Sequence, residues 1–372
     1  MKVLFDYRMA TWSGIGRYSQ SLALALAQRD DVDLGLVVAQ DDLEKNIVPE
    51  PLMQLPLFKA SAHPLIAKGF REIRAVVREF NPDLVHCTHI STPNLKGVRT
   101  NAGKQVPVVT TLHDVTPLIV DGVMPSFAKR AIYSGLNQRA LNWSDALITP
   151  SQHTVDDLRR FFPQFKTPIS VIPLAADELK SIRPARPTSL KYLSPEFQQD
   201  FIFSFGNIKP HKDLPTLLAA FAEIADRCDT LSLLLVGKEL PNYLQQHLDA
   251  RYHNRVRFTG PLSDEELVWL YLHAKAFAFP SLYEGFGLPP LEAMTFGCPT
   301  IVSDAASLPE VVGDGAVLVR SKDVQGFAEA IHRILTDENF TDDLEDRGMQ
   351  RAKEFSWEKT ADATVDVYRS VC

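Results

Sequence analysis

Short apolar runs alternate along this chain with longer stretches in which apolar residues recur every three or four positions. The short runs are typical of buried strands, and the longer recurrence is typical of helices with one buried face. Strands are predicted at residues 2–6, 32–38, 84–86, 106–112, 146–149, 201–205, 231–236, 255–258, 276–279 and 300–302. Helices are predicted at residues 18–28, 65–80 and 126–142, and from Trp357 onward. This alternation predicts an α/β protein whose parallel sheets carry helices on both faces.

The length of the chain predicts two domains, because 372 residues are too many for one ordinary core. Residues 175–200 contain Pro184, Pro187 and Pro195 and lack sustained periodicity, so we interpret them as the connection. We therefore expect a first domain at residues 1–175, a linker at 176–200, a second domain at 201–355 and a terminal helix at 356–372.

Composition narrows the classes of function. Hydrophobic residues make up 45% and charged residues 23% of the chain, as in soluble globular proteins. There is no apolar run of membrane-spanning length and no signal-peptide pattern, and the 4 cysteines lack CxxC spacing, which together predict a cytoplasmic protein. The net charge of −7 argues against a nucleic-acid partner. Residues 1–170 hold 19 basic and 16 acidic residues, or +3, which leaves −10 for residues 171–372.

The segment at residues 281–292 carries the strongest chemical signal. It reads Ser-Leu-Tyr-Glu-Gly-Phe-Gly-Leu-Pro-Pro-Leu-Glu and follows a predicted strand. Its two glycines admit close approach of the backbone to a ligand, and its proline pair suits the first turn of a helix, where free amides bind anions. Glu284 and Glu292 offer carboxylates for hydroxyl-rich groups. The combination predicts a sugar-nucleotide site, although an isolated pair of loop glutamates is usually just solvated.

This segment resembles retaining glycosyltransferase family 4, whose hallmark is two glutamates separated by seven residues. The similarity extends over residues 280–294, 297–299 and 307–311. It implies the GT-B fold, in which two Rossmann-like domains with parallel sheets face each other across a cleft and the last helix crosses back to the first domain. The second domain would bind the nucleotide sugar, and the first would bind the acceptor.

The resemblance also assigns roles to residues of the second half. Glu284 would bind hydroxyls of the donor sugar, and Glu292 would bind those of the ribose. Lys212 and three backbone amides would bind the diphosphate. These amides belong to Phe286, Gly287 and Leu288. No metal ion and no cofactor are implied. The family pattern has Arg where this chain has Asn207, so the usual pair of cations is in doubt, with Lys209 or His211 as substitutes.

Two features of the first half are candidates for the same site. The sequence Ser13-Gly-Ile-Gly-Arg-Tyr18 follows the first strand and is close to GxGxxG, so Gly14 and Gly16 are candidates for binding a phosphate at a helix start. His113 follows a strand, where it would either line the ligand site or be satisfied by a backbone carbonyl. The resemblance favours the first, because family members place a histidine beside the donor sugar. His86 and His89 are predicted to line the cleft or to be structural.

The function predicted on these grounds is retaining, metal-independent hexosyl transfer. The donor would be GDP-mannose or a UDP-sugar and the acceptor a saccharide or lipid-linked saccharide, because the motifs resemble bacterial mannosyltransferases of polysaccharide assembly. Two alternatives remain open. One is an NAD-dependent oxidoreductase that uses Gly14 and Gly16 as its fingerprint. The other is a GT-B protein that binds sugars but has lost activity.

The predicted helix at residues 65–80 suggests peripheral contact with the inner face of a membrane. Basic residues three and four positions apart share one face of a helix and attract anionic headgroups. The candidates are Lys68, Arg71, Arg74 and Arg78, with Lys129, Arg130 and Arg139 on the helix at residues 126–142. The alternative is an ordinary amphipathic helix whose apolar face lies in the core.

Overall fold

The computed structural model describes residues 1–99, 101, 103–188 and 200–372, apart from the side chain of Ser13. Residues 189–199 of the predicted linker lie outside the described residues. The chain divides into two compact units. The first contains Met1–Ile119, Met124–Leu174 and Trp357–Cys372, and the second contains Val120–Val123 and Ala175–Ser356.

The first unit is built on a seven-stranded sheet in which every paired strand runs parallel to its neighbours. Its order, β3-β2-β1-β4-β5-β6-β7, reverses direction between β1 and β4. The strands are β1 (Lys2–Asp6), β2 (Asp33–Ala39), β3 (Leu57–Ala60), β4 (Leu84–Cys87), β5 (Val108–Thr111), β6 (Ala146–Thr149) and β7 (Ile169–Val171).

Helices form most of the long connections between these parallel strands, whereas no helix is present between β4 and β5 in the described residues. These helices are α1 (Ser13–Ala27), α2 (Gln40–Glu44), α3 (Ala67–Phe80), α4 (Thr116–Ile119), α5 (Phe127–Trp143) and α6 (Gln152–Phe161). One apolar cluster joins α3 to the sheet through residues such as Ile73 and Val77 against Val37 and Val85. Burial of the strands on both faces explains why they read as continuous apolar runs.

The second unit repeats the architecture with a six-stranded parallel sheet in the order β10-β9-β8-β11-β12-β13. Its direction reverses between β8 and β11. The strands are β8 (Asp200–Phe205), β9 (Leu231–Val236), β10 (Val256–Gly260), β11 (Ala276–Phe279), β12 (Thr300–Ser303) and β13 (Val317–Val319). The helices are α7 (Leu214–Ala225), α8 (Tyr243–His247), α9 (Asp264–His273), α10 (Leu288–Thr295), α11 (Leu308–Val312), α12 (Val324–Thr336) and α13 (Glu338–Ala352).

The last helix, α14 (Trp357–Val371), returns to the first unit, where it packs against α1. Its buried residues include Thr364, Val365 and Tyr368. The Thr360 hydroxyl donates to the carbonyl oxygen of Pro173 at 2.8 Å, so polar contacts also fix the helix. The predictions of a parallel α/β fold with two Rossmann-like domains and a returning terminal helix are confirmed.

The structure corrects the sequence-based boundaries in two respects. Helix α1 begins at Ser13, five residues before the predicted start, so Gly14 and Gly16 lie inside its first turns. Three strands were missed, namely β3, β7 and β13, because each has only three or four residues and lies at the edge of its sheet. Within the described residues, no helix combines the length and the apolar character needed to cross a membrane.

Candidate active site

The loops that follow β8 and β11 lie side by side in the second unit, where the order of the strands reverses. In open α/β sheets, ligands bind at this point, beyond the carboxyl ends of the strands. Lys212 lies in the loop after β8 and Glu284 in the loop after β11. The sheet therefore brings together two predicted site residues that are 72 positions apart.

Lys212 and Glu284 form an ion pair in which Nζ lies 2.5 Å from Oε1. The Ser281 hydroxyl lies 2.6 Å from the same carboxylate oxygen. The ammonium group also lies 4.9 Å from the centre of the Phe279 ring. The side chains of Lys212 and Glu284 are 15% and 16% exposed, so both are largely withdrawn from water but still accessible.

Serine hydroxyls and backbone bonds hold these loops to their neighbours. The N–H of Leu282 donates to the carbonyl oxygen of His211 at 2.6 Å, which ties the loop after β11 to the loop after β8. The Ser307 hydroxyl, just before α11, lies 2.9 Å from the carbonyl oxygen of Glu284 and 2.7 Å from that of Phe286. The backbone around Glu284 is therefore fixed from two sides.

Three consecutive backbone N–H groups at the start of α10 make no hydrogen bond to any described residue. They belong to Phe286, Gly287 and Leu288. All three residues are buried, and buried N–H groups without a partner are rare in folded proteins. Pro289 and Pro290 occupy the next two positions and have no N–H. The start of this helix thus presents a compact set of three unused donors, which is the requirement for binding a phosphate oxygen.

Gly287 is the N-cap of α10 and has a φ of +112°. A Cβ at this position would lie 2.7 Å from Cδ2 of Leu308, which is closer than side chains approach. Backbone conformation and the close approach of α11 therefore both require glycine here. The turn that aims the three N–H groups depends on this residue.

Glu292 lies in the second turn of α10 and is only 3% exposed. The Tyr271 hydroxyl donates to its Oε2 at 2.8 Å and lies 3.4 Å from the carbonyl oxygen of Pro289. A buried carboxylate needs such partners to offset its loss of solvation. Tyr271, on α9, thus fixes the orientation of the Glu292 carboxylate.

Asn207 is exposed and directly follows Gly206 at the end of β8. A Cβ at position 206 would lie 2.8 Å from the Phe258 ring, so tight packing explains that glycine. Asn207 carries no charge. Lys209 is exposed on the same loop, whereas His211 is buried, so Lys212 is the cation that this loop brings to Glu284.

The glycines of the first unit differ from each other in environment. The N–H of Gly16 donates to the carbonyl oxygen of Trp12 at 3.0 Å and is used within the helix. A Cβ at position 16 would lie 2.3 Å from the carbonyl oxygen of Ala10, so packing of the preceding turn excludes other residues. Nothing lies within 4 Å of the Cβ position of Gly14. Gly16 thus has a structural role, and Gly14 leaves open space at the start of α1.

His113 follows β5 in the first unit. Its Nε2 lies 2.8 Å from the carbonyl oxygen of Thr88, so this nitrogen carries the hydrogen and donates. Burial lowers the pKa of His113, which favours the neutral ring. In that tautomer Nδ1 is an acceptor. The carbonyl bond considered at the sequence level is present, and it leaves one ring nitrogen for a ligand hydroxyl.

His86 and His89 have different surroundings although they are close in sequence. Both nitrogens of the fully buried His86 are hydrogen-bonded, to Tyr368 and to Thr111. Nδ1 of His89 is buried and has no partner among the described residues. Burial lowers the pKa of each histidine to about 3. His86 is therefore structural. Within the described parts of the chain, no three His, Cys, Asp or Glu side chains are grouped as metal ligands would be.

The sequence analysis did not predict the roles of three residues of this site, namely Ser281, Ser307 and Tyr271. Serines after strands and a tyrosine within a helix have many ordinary explanations, so their spacing gave no signal. Their contacts become visible only when the sheet places α9, α11 and the loop after β11 next to one another.

Two family models cover most of the chain. The model described as Glycosyltransferase Family 4 matches residues 12–178, and that described as Glycosyl transferases group 1 matches residues 191–351. The first match contains strands β2 to β7 of the first sheet, and the second contains all six strands of the second sheet. The chain belongs to the glycosyltransferases of this two-domain, GT-B type.

Individual similarities agree with this assignment. The chain is 26% identical over 396 residues to the O-antigen chain mannosyltransferase B of Escherichia coli, covering 99% of this chain and 100% of that protein. It is 34% identical over 203 residues to the serotype-specific mannosyltransferase WbdA of Escherichia coli, covering 53% of this chain but only 24% of WbdA. The structure of Anabaena HepE in complex with UDP and glucose has the same fold, with a TM-score of 0.75 at 19% identity and full coverage of both chains.

Proposed function

We propose that this glycosyltransferase moves a sugar, with retention of configuration, from a nucleotide-diphosphate donor to a saccharide or lipid-linked saccharide acceptor. The observation that carries the proposal is the set of three unused N–H groups at the start of α10, in the loop that also places Glu284 against Lys212. Such donors, together with a cation, suit a diphosphate, and a nearby carboxylate suits sugar hydroxyls.

GDP-mannose is the favoured donor and polysaccharide assembly the favoured context. Two relatives at 26% and 34% identity are named mannosyltransferases, and one acts on an O-antigen chain according to its name. HepE, which shares the fold at 19% identity, was crystallised with UDP and glucose, so UDP-sugars form the second class to test. The second unit is proposed to hold the donor and the first to bind the acceptor.

The ion pair is compatible with donor binding, because an ammonium group has three hydrogens to donate. One is directed to Glu284, which leaves two for oxygens of the diphosphate. Lys212 can then neutralise the departing diphosphate while it still orients Glu284 toward the hydroxyls of the donor sugar. Glu292, held by Tyr271, is proposed to bind the ribose hydroxyls. Asn207 is proposed to add a neutral contact to the donor, and Gly14 and Gly16 to give the donor phosphates access to the start of α1.

Transfer is proposed to proceed on one face of the sugar. The bond between the anomeric carbon and the diphosphate oxygen breaks, and the acceptor oxygen attacks the same face. The acceptor proton passes to the departing phosphate oxygen, which balances the charges. Lys212 and the three N–H groups would stabilise the negative charge that develops on the diphosphate. With the charge of the Lys212 ammonium and the dipoles of the three N–H groups on the diphosphate, the reaction is proposed to need no metal ion. His113 would accept a hydrogen bond from a donor-sugar hydroxyl at Nδ1.

The donor is tested by thermal unfolding in the presence of GDP-mannose, UDP-glucose and other nucleotide sugars. A ligand that binds only the folded protein raises its melting temperature. The donor that does so is then incubated with saccharide acceptors, and the product is analysed for mass and anomeric configuration. Inverted product would contradict retention. Binding without any transfer would favour the inactive sugar-binding alternative.

The site assignment is tested with Glu284→Ala and Glu292→Gln. Glutamine keeps an acceptor for Tyr271, so the second change removes charge without leaving a buried hydroxyl unpaired. We expect Glu284→Ala to abolish most transfer and Glu292→Gln to weaken donor binding by roughly tenfold or more. Glu329→Ala, at an exposed position on α12, is the control. Wild-type kinetics in both variants would contradict the assignment.

We further propose that the first unit makes peripheral contact with anionic membranes. On α3, Lys68, Arg71 and Arg78 are exposed and Arg74 is half-buried, whereas Ile73 and Val77 lie in the core. The basic stripe therefore lies at the surface, and the apolar face of α3 packs in the core. At the start of α5, Phe127 and Ile132 are 86% and 65% exposed, which adds apolar groups that suit insertion among headgroups.

Sedimentation with anionic vesicles tests this contact. Each exposed basic residue contributes about 1 kcal/mol near an anionic surface, and the attraction weakens as salt rises. The triple change of Arg71, Arg74 and Arg78 to Glu should abolish sedimentation. The matched control reverses Arg159, Arg160 and Lys166 in the same unit, all of which are exposed. A wild-type protein that stays in the supernatant at low salt would contradict membrane contact and favour a soluble acceptor.

A further inference from the structure

A chain of hydrogen bonds between side chains runs through the core of the first unit from α14 to α1. The Tyr368 hydroxyl lies 2.5 Å from Nδ1 of His86, and Nε2 of His86 lies 2.8 Å from the Thr111 hydroxyl. The Thr111 hydroxyl in turn lies 2.7 Å from that of Tyr18. The four residues belong to α14, β4, β5 and α1 and are at most 1% exposed. Four separate elements are therefore linked by polar contacts within the core of the first unit.

The near end of this chain contacts His113. The Tyr18 ring meets the His113 ring edge to face, with centroids 4.8 Å apart and an interplanar angle of 80°. The backbone carbonyl of Thr88 holds Nε2 of His113, so the Tyr18 ring and this carbonyl together fix the imidazole. The Tyr18 ring also lies 6.2 Å from that of Trp357, the first residue of α14. Helix α14 thus reaches Tyr18 directly at its start and through His86 near its end.

The members of the chain are neutral, so each depends on its hydrogen bonds. Burial raises the pKa of Tyr18 and of Tyr368, which keeps both hydroxyls protonated, and lowers the pKa of His86 to about 3. The loss of one partner in such a buried network leaves another polar atom unsatisfied. Loss of the Tyr368 hydroxyl therefore changes which atoms donate and which accept in the next hydrogen bonds of the chain, as far as the Tyr18 hydroxyl.

We propose that Tyr368 is a positioning residue for His113, acting through His86, Thr111 and Tyr18. The C-terminal helix would thereby set the orientation of the imidazole that faces the donor sugar. This inference rests on the proposed role of His113 in transfer. It predicts that removal of one hydroxyl on α14 changes the His113 ring without any direct contact between the two residues.

The test compares Tyr368→Phe with Tyr7→Phe in the full-length protein. Tyr7 is a matched control, because it is 1% exposed in the same unit and its hydroxyl has no hydrogen-bond partner among the described residues. Nitrogen-15 spectra of the histidine side chains report the tautomer and environment of each ring, and His113→Ala assigns the His113 signal. Kinetics with the true donor give kcat and the donor KM separately.

We expect Tyr368→Phe to shift the His113 signals and to lower kcat by roughly five- to tenfold through misplacement of the ring, with a smaller change in donor KM. Tyr7→Phe should change neither. If Tyr368→Phe fails to fold, Tyr18→Phe removes the near hydroxyl while it keeps the ring and serves as the second variant. A shift of the His86 signals with unchanged His113 signals and kcat would overturn the inference. Wild-type transfer by His113→Ala would instead contradict the proposed role of His113, and the spectra would still decide whether the chain positions its ring.

Discussion

Lys212 and Glu284 form an ion pair in the second unit, and this pairing constrains how each would act in the proposed transfer. A lysine that only attracted the donor would change affinity, whereas one that stabilises the departing diphosphate changes turnover, because the charge develops in the transition state. The pairing also orients Glu284. Removal of Lys212 therefore also changes the orientation of Glu284, so a change in kcat reports on both residues.

Lys212→Met is the corresponding variant, since methionine keeps most of the side-chain length without the charge. We expect kcat to fall roughly 100-fold, as when one donor to a developing charge is removed, with a much smaller rise in donor KM. Lys353→Ala, at an exposed position after α13, is the control for loss of a positive charge. An effect confined to donor KM would show that Lys212 only binds.

His89 gives the first unit a dependence on pH. Its folded-state pKa of about 3 lies below the ordinary value of 6.5, so the unfolded chain binds the proton that the folded protein excludes. Stability from this residue is complete above pH 6.5 and is lost as the pH falls toward 3, by up to about 1.4 kcal/mol per pH unit. His86, with the same lowered pKa, acts in the same direction.

His89→Leu should therefore flatten the decline in stability between pH 6.5 and pH 5. Leucine removes the buried Nδ1 that has no partner among the described residues, so no internal hydrogen bond is lost at that atom. The free energy of unfolding is measured by urea titration at several pH values. A slope equal to that of the wild type would show that folding does not lower the pKa of His89.

Single residues of the site could be anticipated only in part. The resemblance placed Glu284, Glu292 and Lys212 in one site, but the contact between Lys212 and Glu284 follows from the order of the strands, which sequence spacing does not reveal. The role of Tyr271 was not predicted, because nothing in the sequence distinguishes a tyrosine that binds a carboxylate from one that packs in the core. At Gly16 the structure adds a packing requirement that the motif did not reveal, because a Cβ there would meet the carbonyl oxygen of Ala10.

At the scale of elements, the start of α10 is the feature on which the proposed donor site depends. Gly287→Ala tests it, because alanine is strained at a φ of +112° and its Cβ would approach Leu308. We expect a loss of roughly 1–3 kcal/mol of stability, with donor binding weakened further by misdirected N–H groups. Thermal unfolding with and without the donor separates the two effects.

Gly135→Ala on α5 is the matched control for this substitution. Nothing lies within 4 Å of its Cβ position, and its helical backbone accepts alanine. Here the same change should stabilise the protein by roughly 0.5–1 kcal/mol. Equal effects at both positions would show that the turn at Gly287 tolerates a side chain and does not depend on glycine.

The central strands were predicted well, whereas three of the four edge strands in the described sheets were missed and only β10 was found. The proline pair indicated where α10 begins, and Trp357 indicated the start of α14. Strands β3, β7 and β13 lie at sheet edges and are incompletely buried, so their sequences lack a continuous apolar run. The early start of α1 was missed because two glycines in the first turns disfavour a helix by propensity, and packing overrides them.

At the scale of the molecule, the second sheet places Lys212 and Glu284 at the point where its strand order reverses. Integrity of the first unit also depends on α14, which contributes Tyr368 and other buried residues. A chain that ends at Ser356 should therefore show faster hydrogen exchange in first-unit peptides, with second-unit peptides protected as in the full chain. Mass spectrometry after brief exchange measures both in one sample. Unchanged protection of α1 and β4 would show that α14 is dispensable for this core.

The return of α14 has a consequence for how the protein is made. On the ribosome, residues 1–174 emerge long before the helix that completes their core, because the whole of residues 175–356 must be translated first. At 5–20 residues per second this interval lasts roughly 10 to 40 seconds. During that time the chain of hydrogen bonds through Tyr18, Thr111 and His86 lacks Tyr368, which has not yet been synthesised. The second unit can thus finish folding before the first, and the face of the nascent first unit that α14 later covers stays exposed throughout this interval.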